Sequence, residues 1–260
     1  MLYGLKLVAL GAITLLATLL TVIFGLFDSH GKYAYLISRF WSWLILAIGG
    51  VSLRVSGLNQ IDPRRQYIFM VNHQSNLDIP VLHQSLPGFQ LRWLAKKEIL
   101  WVPFLGWAVW AARHIAVDRG DRNDAMGSLK KAQERMASGV SIVIFPEGTR
   151  SSDGGLLPFK RGGFLLAIKT QTPIVPVTIN GSGKILAKGD WRLRAGEIRV
   201  TVGTPVSVEG NGVKNLRALS ERVRDLIAAN LDPAEKTTGR KNHKAEPAVE
   251  THSSVKRRAV

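Results

Sequence analysis

The sequence predicts an α/β domain, a mixed sheet flanked by helices, preceded by two apolar N-terminal helices that anchor it to a membrane. Three observations carry that expectation. No charged residue occurs from 7 to 27, a run about as long as a helix needs to cross a bilayer core. After Gly57 short β-rich runs alternate with longer helical ones, the pattern of layered α/β domains. The chain has 260 residues, 46% of them hydrophobic, which suits one sizeable core plus an appendage.

Taken in order, the first apolar run has a rival reading as a cleaved signal peptide, with Lys6 as its basic start. Signal cores are shorter, about 7–15 residues, and no small-x-small site follows Phe27, so the run is read as an anchor. A second apolar segment lies at 40–53 between Arg39 and Arg54, with Trp41 and Trp43 at one end as interfacial anchors. Two arrangements stay open. Residues 33–53 span with Arg39 snorkelling, or both segments form a hairpin that dips into one leaflet. Arg54, Arg64 and Arg65 put the remainder on the cytoplasmic side, at the inner membrane of a cell with two.

The expected division is therefore an anchor at 1–56, a folded domain at 57–232 and a basic, disordered tail at 233–260. Within the domain, strands are expected at 67–71, 91–95, 114–117, 141–145, 174–178 and 197–202. Helices are expected at 79–85, 124–137, 162–170 and 213–231. The last places Leu216, Leu219, Val223, Leu226 and Ile227 on one face and stops at Asp232-Pro233. No internal repeat appears at solenoid spacing.

A formal charge of +16 and a pI near 10.5 call for an anionic partner: nucleic acid, acidic lipid or a phosphorylated substrate. The anchor favours lipid, and no nucleic-acid-binding module is recognisable. The absence of cysteine excludes disulfides, cysteine-based zinc sites and a cysteine nucleophile. No metal site is expected.

Chemistry concentrates in two stretches. Asn72-His73-Gln74-Ser75-Asn76-Leu77-Asp78 follows an apolar strand. Five residues of α-helix turn about 140° from one side chain to the other, so His73 and Asp78 cannot meet mid-helix. They meet if His73 lies in the loop after the strand and Asp78 opens the next helix, as Pro80 in a first turn supports. The carboxylate then fixes the imidazole tautomer and leaves the other nitrogen for a hydroxyl proton. Phe145-Pro146-Glu147-Gly148-Thr149-Arg150-Ser151 reads as a turn that exposes Glu147 and Arg150. Arg150 offers a planar fork for phosphate, and N–H groups around Gly148 assist. Glu147 binds a polyol hydroxyl or holds Arg150.

These two blocks resemble the signature motifs of the glycerolipid acyltransferases, in particular the 1-acyl-glycerol-3-phosphate acyltransferases. Val117-Asp118-Arg119, Phe159-Lys160-Arg161-Gly162 and Ile174-Val175-Pro176-Val177 fit the same family in order and spacing, so the resemblance covers about residues 65–205. Ala112-Arg113-His114 depart from it, since a small residue or glycine is common there. The resemblance implies His73 and Asp78 as the catalytic pair. It implies Arg119, Glu147, Gly148, Thr149, Arg150 and Lys160 as substrate-binding residues, with Arg119 and Arg150 on the phosphate. It also implies lysophosphatidic acid as acceptor, acyl-CoA or acyl carrier protein as co-substrate, and no cofactor. Other acceptors stay open: a lyso-ornithine lipid, lysophosphatidylglycerol or glycerol-3-phosphate. So does a non-catalytic protein that binds anionic lipid. An acyl-serine on Ser75 is a conceivable intermediate.

The tryptophan-rich stretch 101–110 reads either as core, or as an acyl channel or membrane-facing mouth, with Lys96 and Lys97 beside it for phosphates. Gly181-Ser182-Gly183-Lys184 lacks the spacing of a phosphate loop. His30, His83, His114, His243 and His252 have no acidic partner in view.

Overall fold

The computed structural model describes residues 2–28, 30–117, 122–210 and 212–233. Helix α1 (Leu2–Phe27) and helix α2 (Lys32–Gly49) form an antiparallel hairpin. Then come β1 (Val51–Ser56), β2 (Ile68–Val71), α3 (Asp78–Ser85), β3 (Leu91–Lys96), α4 (Leu105–Ala111), β4 (Ile115–Val117), α5 (Arg122–Ala137), β5 (Ser141–Ile144) and α6 (Gly162–Thr170). Strand β6 (Ile174–Asn180), the single turn α7 (Ser182–Ile185), β7 (Gly196–Val202) and α8 (Leu216–Ala229) follow. Among the described residues the strands make one seven-stranded sheet in the order β1-β7-β6-β2-β5-β3-β4. Only β6–β7 pair antiparallel, so the expected mixed sheet is present.

Strands β2, β5 and β6 are buried at every residue, as central strands covered by helices on both faces must be. Successive side chains therefore feed two cores. Phe69 and Val71 pack with α2 and α3, whereas Ile68 and Met70 pack with α5, α6 and α8. Helix α8 buries Leu216, Leu219, Val223 and Ile227 against the second core. Leu226 falls at the edge of that stripe and is exposed.

The second apolar segment differs from expectation. Gly50, at φ 67°, ends α2, and Val51–Ser56 is an edge strand parallel to β7 rather than the end of an anchor helix. Its half-buried residues alternate with exposed ones, a two-residue period that an apolar run shared with a helix conceals. Helix α2 is also half a core helix, since Tyr35, Ile45 and Leu46 pack with α3 and the sheet.

Helix α1 has a mean hydropathy of 2.5 over residues 4–27, long and apolar enough to cross a membrane. Its inward face is small: Thr18, Thr21 and Gly25 are buried, and Trp41 Nε1 donates to Thr14 Oγ1 at 3.1 Å. Helix α4 comes so close that a Cβ on Gly25 would sit 2.8 Å from that of Ala111. Polar groups lock the hairpin turn. Asp28 accepts the Tyr33 N–H at 2.6 Å, buried Arg92 donates to the carbonyls of His30 and Gly31, and Arg113 donates to Gly25 O at 3.0 Å. Burial lowers the Arg92 pKa to about 10, which leaves the guanidinium charged at neutral pH.

Candidate active site

The site is built where β2 and β5, neighbours in the sheet, both end, the edge at which α/β domains place their chemistry. His73 sits in the loop after β2 and Asp78 is the first residue of α3, with Pro80 in its first turn, the arrangement expected from the spacing. His73 Nδ1 lies 2.8 Å from Asp78 Oδ2. The same oxygen accepts the N–H groups of Gln74 at 2.8 Å and Ser75 at 2.9 Å. The loop is thus wound around the carboxylate, which also lies at the positive end of α3. Asp78 is fully buried, while the His73 side chain keeps 15% of its surface exposed. With Nδ1 committed to Asp78, Nε2 is the nitrogen left for a substrate proton.

The second loop fixes the main chain of His73. Glu147 Oε1 accepts the His73 N–H at 2.8 Å, and the Ser151 N–H donates to the His73 carbonyl at 2.7 Å. The imidazole lies flat on Phe145, ring centres 3.8 Å apart and planes at 12°, and Phe145 in turn stacks on Trp93. Asn72 bonds both the N–H and the carbonyl of Ile179 at 2.8 Å, tying the loop to β6.

Glu147 is not exposed, contrary to the sequence reading. It retains 3% of its surface, and its other oxygen accepts the Leu157 N–H at 2.8 Å. A carboxylate with both oxygens bonded to backbone donors does not offer itself to a polyol. Burial raises its pKa from 4.5 to about 7, against the lowering effect of those bonds, and the nearby Asp78 charge adds to the rise. The Gly148 N–H is not free either, since it closes the turn onto Phe145 O. Gly148 takes φ 75° there, a left-handed conformation that suits glycine.

Thr149 is exposed and Arg150 half-buried on the same turn. Lys160 is exposed, and its backbone N–H bonds Pro146 O at 2.8 Å. The structure therefore brings His73, Asp78, Glu147, Gly148, Thr149, Arg150 and Lys160 to one pair of loops. Asp118 and Arg119 lie outside the described residues. Ser75 is fully buried and its hydroxyl donates to Leu186 O at 2.7 Å, which removes it as an acyl-enzyme nucleophile. His83 is buried against Ser42, and burial pushes its pKa down to about 3. His114 accepts the Trp93 N–H. Both serve as neutral packing groups. Among the described residues no cluster could hold a metal ion.

The model of the acyltransferase family matches residues 52–180, from β1 to the end of β6 and across both loops. A 1-acyl-sn-glycerol-3-phosphate acyltransferase of Pseudomonas aeruginosa is 31% identical over 226 residues, covering 85% of each chain. This chain belongs to the acyltransferase family. The human 1-acyl-sn-glycerol-3-phosphate acyltransferase alpha is 38% identical over 176 residues, which are 67% of this chain and 62% of that protein. The chain thus spans less than two thirds of that longer relative. The crystal structure of the 1-acyl-sn-glycerophosphate (LPA) acyltransferase of Thermotoga maritima superposes with a TM-score of 0.69 and 25% identity, over 96% of this chain and all of that one.

The pairing of His73 with Asp78 was legible in the sequence, but what holds the pair was not. Phe145 and Glu147 stand inside the quoted blocks, yet neither block says that one forms the bed of the imidazole and the other clamps its backbone. The tryptophan stretch is two-sided: Trp101, Phe104, Trp107 and Trp110 each show about half or more of their surface, while Gly106 and Val109 are buried, so its aromatic side is not core.

Proposed function

We propose that the chain transfers an acyl group from an acyl thioester to the sn-2 hydroxyl of lysophosphatidic acid, giving phosphatidic acid in phospholipid biosynthesis. The observation that carries this reading is the 2.8 Å contact between His73 Nδ1 and buried Asp78, on an imidazole bedded on Phe145. The names of the relatives supply the acceptor.

In this scheme His73 Nε2 takes the proton of the acceptor hydroxyl as the oxygen attacks the thioester carbon. Asp78 stabilises the imidazolium that forms. The tetrahedral intermediate collapses, the C–S bond breaks, and the imidazolium returns its proton to the thiolate, which leaves as the free thiol of CoA or acyl carrier protein. No covalent enzyme intermediate is needed. Arg150, Lys160 and Arg119 hold the acceptor phosphate through charge-assisted hydrogen bonds, and Gly148 and Thr149 shape the turn beside it. Glu147 acts through His73 rather than on the glycerol.

The hairpin of α1 and α2 is the membrane anchor, joined to an α/β domain that starts at β1, with residues 233–260 as a basic tail. Exposed Leu15, Leu16, Leu19 and Phe27 on α1 support it, as do Trp107 and Trp110 on the neighbouring α4 and Trp101 just before it. Arg54, Arg64 and Arg65 favour a catalytic domain on the cytoplasmic face. Assaying purified protein against lysophosphatidic acid, lysophosphatidylglycerol, lyso-ornithine lipid and glycerol-3-phosphate, with both thioester donors, tests the reading. Lysophosphatidic acid is expected to be the best acceptor; its being the poorest would refute the substrate.

A further inference from the structure

The connection between α7 and β7, residues 186–195, holds a tryptophan that no part of the mechanism uses. Trp191 exposes 80% of its surface, nearly the most of any large apolar side chain described. Around it stand Lys188, Arg192 and Arg194 against a single acid, Asp190, which pairs with both arginines. The segment keeps a net positive charge beside an exposed indole, the composition found where protein meets headgroups.

Its two ends fix where it points. On one side Ser75 Oγ donates to Leu186 O at 2.7 Å and Lys188 Nζ donates to Arg150 O at 3.0 Å, so the segment rests on both active-site loops. On the other, Leu193 fills the space beside Gly49, where a Cβ would meet it at 2.9 Å, and Ala195 lies against Gly50. Those glycines end α2, whose outward face is an apolar stripe of exposed Tyr33, Leu36, Phe40 and Trp43 at helical spacing. The segment thus meets the end of the helix that carries this stripe and runs from it to Arg150.

We infer that residues 186–195 form a second membrane contact, with Trp191 seated at headgroup level among anionic lipids, between the hairpin and the phosphate side of the active site. The inference rests on the reading of the acceptor as a bilayer-borne lysolipid: the segment is the surface such a molecule passes on its way to Arg150. The bilayer is favoured over a protein partner because the segment abuts the end of the helix that carries the apolar stripe and the surrounding charge complements acidic lipid.

The chain has no cysteine, so a nitroxide attached to Trp191→Cys is a unique label. Glu209→Cys serves as control, since the backbone near it pairs with the opposite end of β6 at Ile174. On phosphatidylcholine vesicles containing phosphatidylglycerol, the label at 191 is expected to lose access to a water-soluble nickel chelate and gain access to oxygen. The label at 209 keeps its access to nickel. Equal nickel access at both sites on membrane-bound protein would overturn the inference, as would protection that appears only after a second protein is added. This readout needs no turnover, so it stands apart from any error in the acceptor. As a second arm, Trp191→Ala is expected to raise the half-saturating surface fraction of vesicle-borne acceptor severalfold at unchanged kcat. An unaltered value would also count against it.

Discussion

His73 is held at four points: its Nδ1 by Asp78, its N–H by Glu147, its carbonyl by Ser151 and its ring by Phe145. For the base proposed at His73, being held in one orientation before the substrate arrives removes an entropic part of the barrier. Glu147 is the least obvious of these supports, and replacing it distinguishes support from substrate contact. In Glu147→Gln the amide NH2 faces a backbone donor, either that of His73 or that of Leu157, so one clamp bond is lost. We expect kcat to fall by about tenfold or more with the acceptor KM little changed; a residue that binds glycerol would raise KM instead. Titration gives a separate check. The Glu147 pKa rises from 4.5 to about 7 on folding, so between those values the folded protein keeps a proton that the unfolded chain has released. Its contribution is full below pH 4.5 and lost as pH rises through 7, in all about 3 kcal/mol. Thermal unfolding in detergent should show wild type losing stability relative to Glu147→Gln across that interval, and parallel curves would contradict it.

Between elements, a polar link runs from Arg113 to the last turn of α1. Arg113 takes φ 58° and donates to a carbonyl that a helix end leaves unpaired. Arg113→Ala is expected to cost about 1–2 kcal/mol. Arg113→Gly should cost about 1 kcal/mol less, because glycine accepts that backbone conformation; melting curves that rank them in the reverse order would contradict the strain. The same scale shows what the sequence made legible. Strands β2, β5 and β6 stood out because complete burial makes short apolar runs. Strand β1 was hidden: one apolar run continues across Gly49-Gly50, and only the alternation of Val51, Leu53 and Val55 betrays a strand. The stretch 101–110 was ambiguous for a deeper reason, since apolar composition is the same whether the solvent it avoids is excluded by core or by lipid. The paired His73 and Asp78 were readable because their contact is local in sequence, while the clamp by Glu147 joins residues 74 apart.

At the scale of the whole molecule, the proposed membrane attachment has two sources, a charge of +16 and an apolar hairpin, and they respond differently to salt. Screening weakens attraction between basic residues and acidic lipid, whereas burial of the exposed face of α1 is not weakened. The full chain should therefore float with phosphatidylglycerol-containing vesicles in low and high salt alike, and a chain lacking residues 2–27, left with the smaller apolar surface of α2 and the tryptophans, should lose more of its binding in high salt than the full chain does. Release of the full chain by salt would make charge, not the hairpin, the anchor. One measurement bears most directly on the proposed chemistry: acyl transfer from acyl-CoA to lysophosphatidic acid by purified His73→Ala protein beside wild type. Loss of about a thousandfold or more in kcat, with acceptor binding retained, is the result expected of the base. Activity within a few fold of wild type would contradict it.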